Sequence, residues 1–288
     1  MRSSPRLVTL GALAMTAAAL ACSENPSAMR TPSLSAAQAD SVAAAVVADL
    51  DGMPEGAVFD VLSLPAGPQS PTGTQACEPA ISPFPPVNSD DDPIPDSVRI
   101  DFTGCVIEFP HETVTLFGAK DIVDMVPDVA GHHVRARFLD LGRSVTRTGT
   151  GATWSVTHNG VRQFSASATE LDAQEIDFLS EFAFPDGATA VHERDWSSTF
   201  TADAGLEITP RHLPAGTWIV NGTSAWTKGE RSWSLAVTNL APLHYDPACA
   251  FRPRFDAGAV QIVATRGDQT STVTIEFTAC GQYTVTRS

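Results

Sequence analysis

Positive charge is scarce in this 288-residue chain. Lysine occurs only at Lys120 and Lys228, and all basic residues number 18 against 33 acidic ones, for a net charge of −15. Such a surface repels phosphate backbones, which argues against nucleic acid as a partner. It argues equally against a polybasic grip on anionic lipid. The scarcity of lysine itself reads as codon usage of a GC-rich genome. Catalytic signatures are also missing: the sequence has no G-x-S-x-G elbow, no H-E-x-x-H helix, no Walker loop and no dinucleotide fingerprint. "HETVT" at His111 and "HERDW" at His192 lack the second histidine of a zinc helix and lie in strand-like stretches. No C-x-x-C occurs, which argues against a zinc ribbon and against thiol redox chemistry. No cofactor is expected. Beyond the N-terminus, no run approaches the ~18 apolar residues of a membrane-spanning helix.

The N-terminus reads "MRSSPRLVTLGALAMTAAALAC". Arg2 and Arg6 precede an apolar run from 7 to 21, which has the form of a secretory signal removed from the mature chain. The end of this segment, "ALAC", resembles the lipobox of bacterial lipoproteins. That resemblance implies that Cys22 becomes the first mature residue and carries lipid. It implies further that Ser23 directs the protein to the outer membrane. The expected organisation is a signal peptide over 1–21, a tether over 22–34, a helix and Pro-rich lead-in over 35–96, and a β domain over 97–288.

Four cysteines remain: Cys77, Cys105, Cys249 and Cys280. An even number in an exported protein favours disulfides. Cys77 precedes Cys105 by 28 residues, and Cys249 precedes Cys280 by 31. The second cysteine of each pair follows a near-repeated stretch, "DSVRIDFTGC" and "STVTIEFTAC". Two local bridges, Cys77–Cys105 and Cys249–Cys280, are the simplest pairing, with a crossed pairing of the repeats as the alternative.

In "SLSAAQADSVAAAVVADLDG", Ser35 and Gln38 have capping-box spacing. Val42, Val46, Val47 and Leu50 share a stripe, and Gly52 can supply a left-handed stop, so a helix is expected over about 36–50. Ten of the 21 prolines then fall between 52 and 96, around one short strand candidate, "AVFDVL". Asp90, Asp91 and Asp92 offer oxygens suited to calcium, but the D-x-D-x-D-G spacing is missing and a solvated loop is expected.

From Ser97 onward, apolar and polar residues alternate in many short runs. An all-β fold follows, mainly an antiparallel meander, built as a sandwich or a curved open barrel with one N-terminal helix. Asn159-Gly160 is the strongest hairpin signal, with Lys228-Gly229 and Asp186-Gly187 weaker ones. "ATELDAQEIDFLSEF" reads as a helix-like insertion or an irregular stretch. The order "WIVNGTSAW…SWSLAVTNLAPLHYDPAC…DAGAVQIVAT…STVTIEFTAC", with "SVRIDFTGC" before it, resembles a group of uncharacterised bacterial envelope lipoproteins over residues 96–288. The resemblance implies an extracytoplasmic β protein and carries no catalytic residue with it.

Along "AVHERDW", His192, Arg194 and Trp196 share one face of a strand, with Glu193 and Asp195 on the other. That face is the candidate binding surface, set against the commoner meaning of a solvated face with paired charges. His132 and His133 are adjacent on a strand, which sends their rings to opposite faces and disfavours a joint metal site. The tryptophans at 154, 196, 218, 226 and 233 suit core filling or stacking on sugars, and Trp226 and Trp233 flank the turn at Lys228-Gly229. Three readings follow. The first is a non-enzymatic binding or structural module of the envelope, with an envelope protein or glycan as partner and the membrane reached through Cys22. The second is a carrier of lipid or another apolar ligand, which needs an apolar cavity. The third is an anchored hydrolase acting on glycans, which needs two carboxylates, or a His–carboxylate pair, converging in a cleft.

Overall fold

The computed structural model describes residues 34–58, 75–90, 92, 94–129, 132–209 and 212–288. The signal segment, Cys22 and Ser23 lie outside the described residues, as does most of "AVFDVL".

One helix, α1 (Ala36–Val58), precedes the strands. Its start is the expected capping box: the Ser35 amide donates to Gln38 Oε1 at 2.8 Å, and the Gln38 amide donates to Ser35 Oγ at 3.3 Å. The helix does not stop at Gly52 but continues to Val58. A Cβ at Gly52 would meet nothing within 4 Å, so this glycine is neither a stop nor a close contact. Ala39, Ala43, Val46 and Leu50 form the buried stripe.

Fourteen strands follow among the described residues: β1 (Gln75–Ala76), β2 (Ala80–Val87), β3 (Ser97–Asp101), β4 (Cys105–Glu108), β5 (Glu112–Asp124), β6 (His132–Arg147) and β7 (Thr153–Ala166), then β8 (Glu170–Ala183), β9 (Thr189–Ala202), β10 (Gly216–Lys228), β11 (Arg231–Tyr245), β12 (Phe255–Arg266), β13 (Gln269–Ala279) and β14 (Gln282–Arg287). They form a single open antiparallel sheet, the expected meander, in its open form rather than as a sandwich. From β4 to β14 each strand pairs with the next in sequence. β3 and β4 both lie along β5, as two pieces of one strand line interrupted at 102–104, with β2 paired beyond β3 and β1 beyond β4. The first copy of the repeat therefore breaks before its cysteine, and Cys105 opens β4. At that break the Thr103 amide donates to Asp101 Oδ1 at 2.8 Å. The Thr103 hydroxyl and amide hold the Asp101 carboxyl below its ordinary value of 3.8.

A single helix cannot cover the inner face of so many strands. Yet Ile122 and Ala136 near one edge, and Ile262 and Ile275 near the other, are all fully buried within one continuous cluster. The sheet curls around its own inner side chains, and α1 lies against that inner side. Its N-terminal end is tied to β13 and β14, where the Leu34 amide donates to Ser271 Oγ at 3.0 Å and Arg287 donates to the Leu34 carbonyl. Asp51 holds the connection before β12, accepting from the Arg254 amide at 3.0 Å and pairing with Arg252 at 3.1 Å.

Asn159-Gly160 is not a hairpin turn. Both residues lie inside β7, which unites "ATWSVTH" and "VRQFSASA" in one strand. The register shifts between Asn159 and Val161, and Gly160 adopts φ 121°, where a Cβ would come within 2.5 Å of the Asp177 carbonyl oxygen. The residue pair that favours positive φ serves a bulge here. Directly opposite, "ATELDAQEIDFLSEF" forms β8, with Asp177 at φ 48°. The second bulge interrupts the alternation, which is why this run carries no clear strand period. Lys228-Gly229 and Asp186-Gly187 do mark turns.

The disulfides are Cys77–Cys105 and Cys249–Cys280, the local pairing. They clasp the two ends of the meander and imply an oxidising, exported environment. Among the described residues no helix is long and apolar enough to cross a membrane.

Candidate binding face

The period-two alternation of β9 turns Ala190, His192, Trp196, Ser198 and Phe200 into the interior, with Arg194 on the same face and Glu193 and Asp195 outside. His192, Arg194 and Trp196 therefore share one face, as the sequence implies. The face is buried and charged rather than solvated. β8 supplies Glu175 opposite Trp196 and Phe178 opposite Arg194; the bulge between them lets both side chains turn inward. β7 supplies Arg162 opposite Glu175, and α1 supplies Asp49.

These groups form a chain of ion pairs. Arg162 lies 2.8 Å from Glu175 Oε1, and Arg194 Nε lies 2.8 Å from Glu175 Oε2 as an ion contact rather than an aligned hydrogen bond. Arg194 then reaches Asp49 Oδ1 at 3.1 Å, and His192 Nε2 stands 3.3 Å from Asp49 Oδ2. No member of the chain is more than 17% exposed. Charges this dry are tolerable only when paired, and two guanidinium groups face two carboxylates. The ring of Phe178 lies beneath both guanidinium groups, at 4.4 Å from Arg162 and 5.0 Å from Arg194. Gly222 faces Trp196 across β9 and β10, and a Cβ there would come within 2.8 Å of the Trp196 α-carbon. The ring of Trp226 stacks on His192 at 3.8 Å.

A partly open cleft of about 110 Å³ lies between α1 and β7–β9, lined by Asp49, Met53, Arg162, Glu175, Arg194 and Trp196 among others. Two carboxylates thus meet in a cleft, as a glycan hydrolase requires, but each is already engaged by guanidinium or imidazole. The histidine does not work as a relay. Ser224 Oγ, 2.9 Å away, and Asp49 both approach the same nitrogen, Nε2. A nucleophile–base–acid series uses the two nitrogens separately.

The other sequence candidates sit apart from this face. His132 and His133 lie on β6 opposite Ala166 and Ser165, and His133 Nδ1 is 2.8 Å from Ser165 Oγ. Asp90, Asp92 and Asp124 bring carboxylate oxygens within 4.8 Å of one another. Oxygens of all three accept local backbone amides, from Asp92, Ile94 and Val126 respectively, and so staple their turns. Trp218 is fully buried, whereas Trp154, Trp226 and Trp233 pack on the core from its margin.

Asp49, Glu175 and Arg162 are the residues that sequence reasoning missed. Asp49 adjoins Leu50 of the helical stripe and reads as solvated. Glu175 and Arg162 sit beside bulges that obscure which face they take. Comparison with protein-family models, with curated proteins and with solved structures finds no match.

Proposed function

We propose that this protein is a lipid-anchored, non-catalytic binding module of the bacterial cell envelope, held at the outer membrane through Cys22. The observation that carries the reading is the inner face of the open sheet. Its deep charges are matched in pairs, its helix is locked in place, and its aromatic margin is left accessible, which describes a preorganised recognition surface. The carrier reading has less support. The cleft of about 110 Å³ falls below the ~300 Å³ at which ligand pockets usually begin.

The test is twofold. Metabolic labelling with an alkyne fatty acid is expected to mark the wild type, and Cys22→Ser is expected to lose both the label and the membrane fraction. In-cell crosslinking of the native protein is then expected to retain a defined envelope component. Recovering none would remove the module reading.

The hydrolase reading keeps one supporting observation, the meeting of Asp49 and Glu175 in the cleft. It predicts release of reducing ends from envelope glycans, abolished by Glu175→Gln. Stable glycans in that assay would eliminate it.

A further inference from the structure

The inner face has an uncovered margin, at the end of the sheet that carries the turns at 148–152, 185–187 and 229–230. Three cation–ring pairs stand there. Arg143 on β6 lies 5.2 Å from the centre of Trp154 on β7, Lys228 on β10 lies 4.6 Å from Phe184 just beyond β8, and Arg266 on β12 lies 5.2 Å from Trp233 on β11. Strand register puts all of these groups on the inner side. Arg143 pairs with Leu116 and Val156, Trp233 with Trp226, and Trp226 with the buried His192.

The three cations differ from those deeper in the face. Arg162 and Arg194 are matched by Glu175 and Asp49. Arg143, Lys228 and Arg266 are exposed, and among the described residues no carboxylate lies within 4.0 Å of them. A chain with a net charge of −15 thus presents unmatched positive charge along one aromatic margin, while the convex side of β9 carries Glu193 and Asp195. The occupant that fits is anionic and extended. Trp154 and Trp233 are separated by β8, β9 and β10, a span of roughly 19 Å at ordinary strand spacing and less across a concave surface. Flat rings beside cations suit a saccharide chain, whose C–H faces stack on the rings while its acid groups meet guanidinium and ammonium. The turns themselves carry Asp186, Glu230 and Asp268; burial in a bilayer would desolvate these carboxylates, whereas a hydrated saccharide leaves them in water.

We propose that this margin binds an acidic polysaccharide, with Arg143, Lys228 and Arg266 meeting its carboxylate or other acid groups and Trp154 and Trp233 stacking on its sugar rings. The proposal rests on the module reading and names the class of its ligand.

The experiment is affinity electrophoresis of the full exported protein through gels containing polygalacturonate or neutral dextran, together with flotation on anionic phospholipid vesicles. Retardation by polygalacturonate alone, relieved by salt, is the expected result. The triple variant Arg143→Gln, Lys228→Gln, Arg266→Gln is expected to bind about tenfold more weakly, as three exposed charge contacts would give. The convex control Arg135→Gln, Arg137→Gln should bind as the wild type does, and all should keep the wild-type urea midpoint. No retardation, equal loss in the convex control, or vesicle binding that the triple variant abolishes would each overturn the proposal. If it fails while in-cell crosslinking still retains an envelope protein, the module stands and only the polysaccharide is lost; if neither ligand nor partner is found, both fall.

Discussion

Asp49 on α1 and Arg194 on β9 lie 3.1 Å apart, although 145 residues of sequence separate them. The contact locks the helix against the inner face of the sheet, and it is dry. Removing one member of a buried pair leaves the other charge uncompensated. Arg194 keeps Glu175, so Asp49→Ala is expected to cost about 2–3 kcal/mol, somewhat below the usual range for a broken buried pair. Urea unfolding of the variant measures this; a loss under about 0.5 kcal/mol, the scale of an ordinary surface substitution, would show that the pair is not a lock.

Gly222 faces Trp196 and the backbone of β9 at van der Waals limits. A Cβ would sit 2.4 Å from the Asp195 carbonyl oxygen. Gly222→Ala is therefore expected to push β9 and β10 apart and to destabilise by about 1–3 kcal/mol, as overpacking does. Thermal unfolding reports the loss, and an unchanged midpoint would contradict the close approach.

The two disulfides close loops with sequence separations of 28 and 31 residues. Cys249→Ser with Cys280→Ser is expected to cost about 3 kcal/mol in the chain-entropy account. Peptide mapping of the unreduced protein should find Cys77 joined to Cys105. A peptide joining Cys77 to Cys249 or Cys280 would contradict the fold at both ends.

His244 on β11 stands between two carboxylates, with Nδ1 2.6 Å from Asp256 and Nε2 3.1 Å from Asp203. Burial alone lowers its pKa, but the bonds and charges of the two aspartates outweigh it, and the result lies above the ordinary 6.5. Only the imidazolium donates from both nitrogens. The stabilisation is therefore complete below pH 6.5 and is lost as pH rises through the raised value. The ring is 35% exposed, so solvent screens the pair and the effect stays below about 1 kcal/mol. His244→Gln is expected to lower the unfolding midpoint at pH 5.5 and to leave it nearly unchanged at pH 9. Equal effects at both would refute the titration.

The meander was legible from the alternation after Ser97, and the bridges from the matched cysteine spacings. In β7 and β8, where the sequence misled, bulges were the cause. Asn159-Gly160 and Ile176-Asp177 occupy facing bulges in β7 and β8, so a turn signal appeared inside a strand and a strand lost its period. The shared face of His192, Arg194 and Trp196 follows from strand geometry alone. Its partners do not, because Asp49 reaches it from a helix and Glu175 from beside a bulge. Long-range charge pairing leaves no local pattern.

Site-directed photocrosslinking in cells tests the binding-face account most directly. A photoreactive residue placed at Phe184, on the accessible margin of the inner face, is compared with one at Thr199, on the convex side of β9. A specific adduct formed from position 184 and absent from position 199 is the predicted result. Equal adducts from both positions, or adducts from position 199 alone, would contradict it.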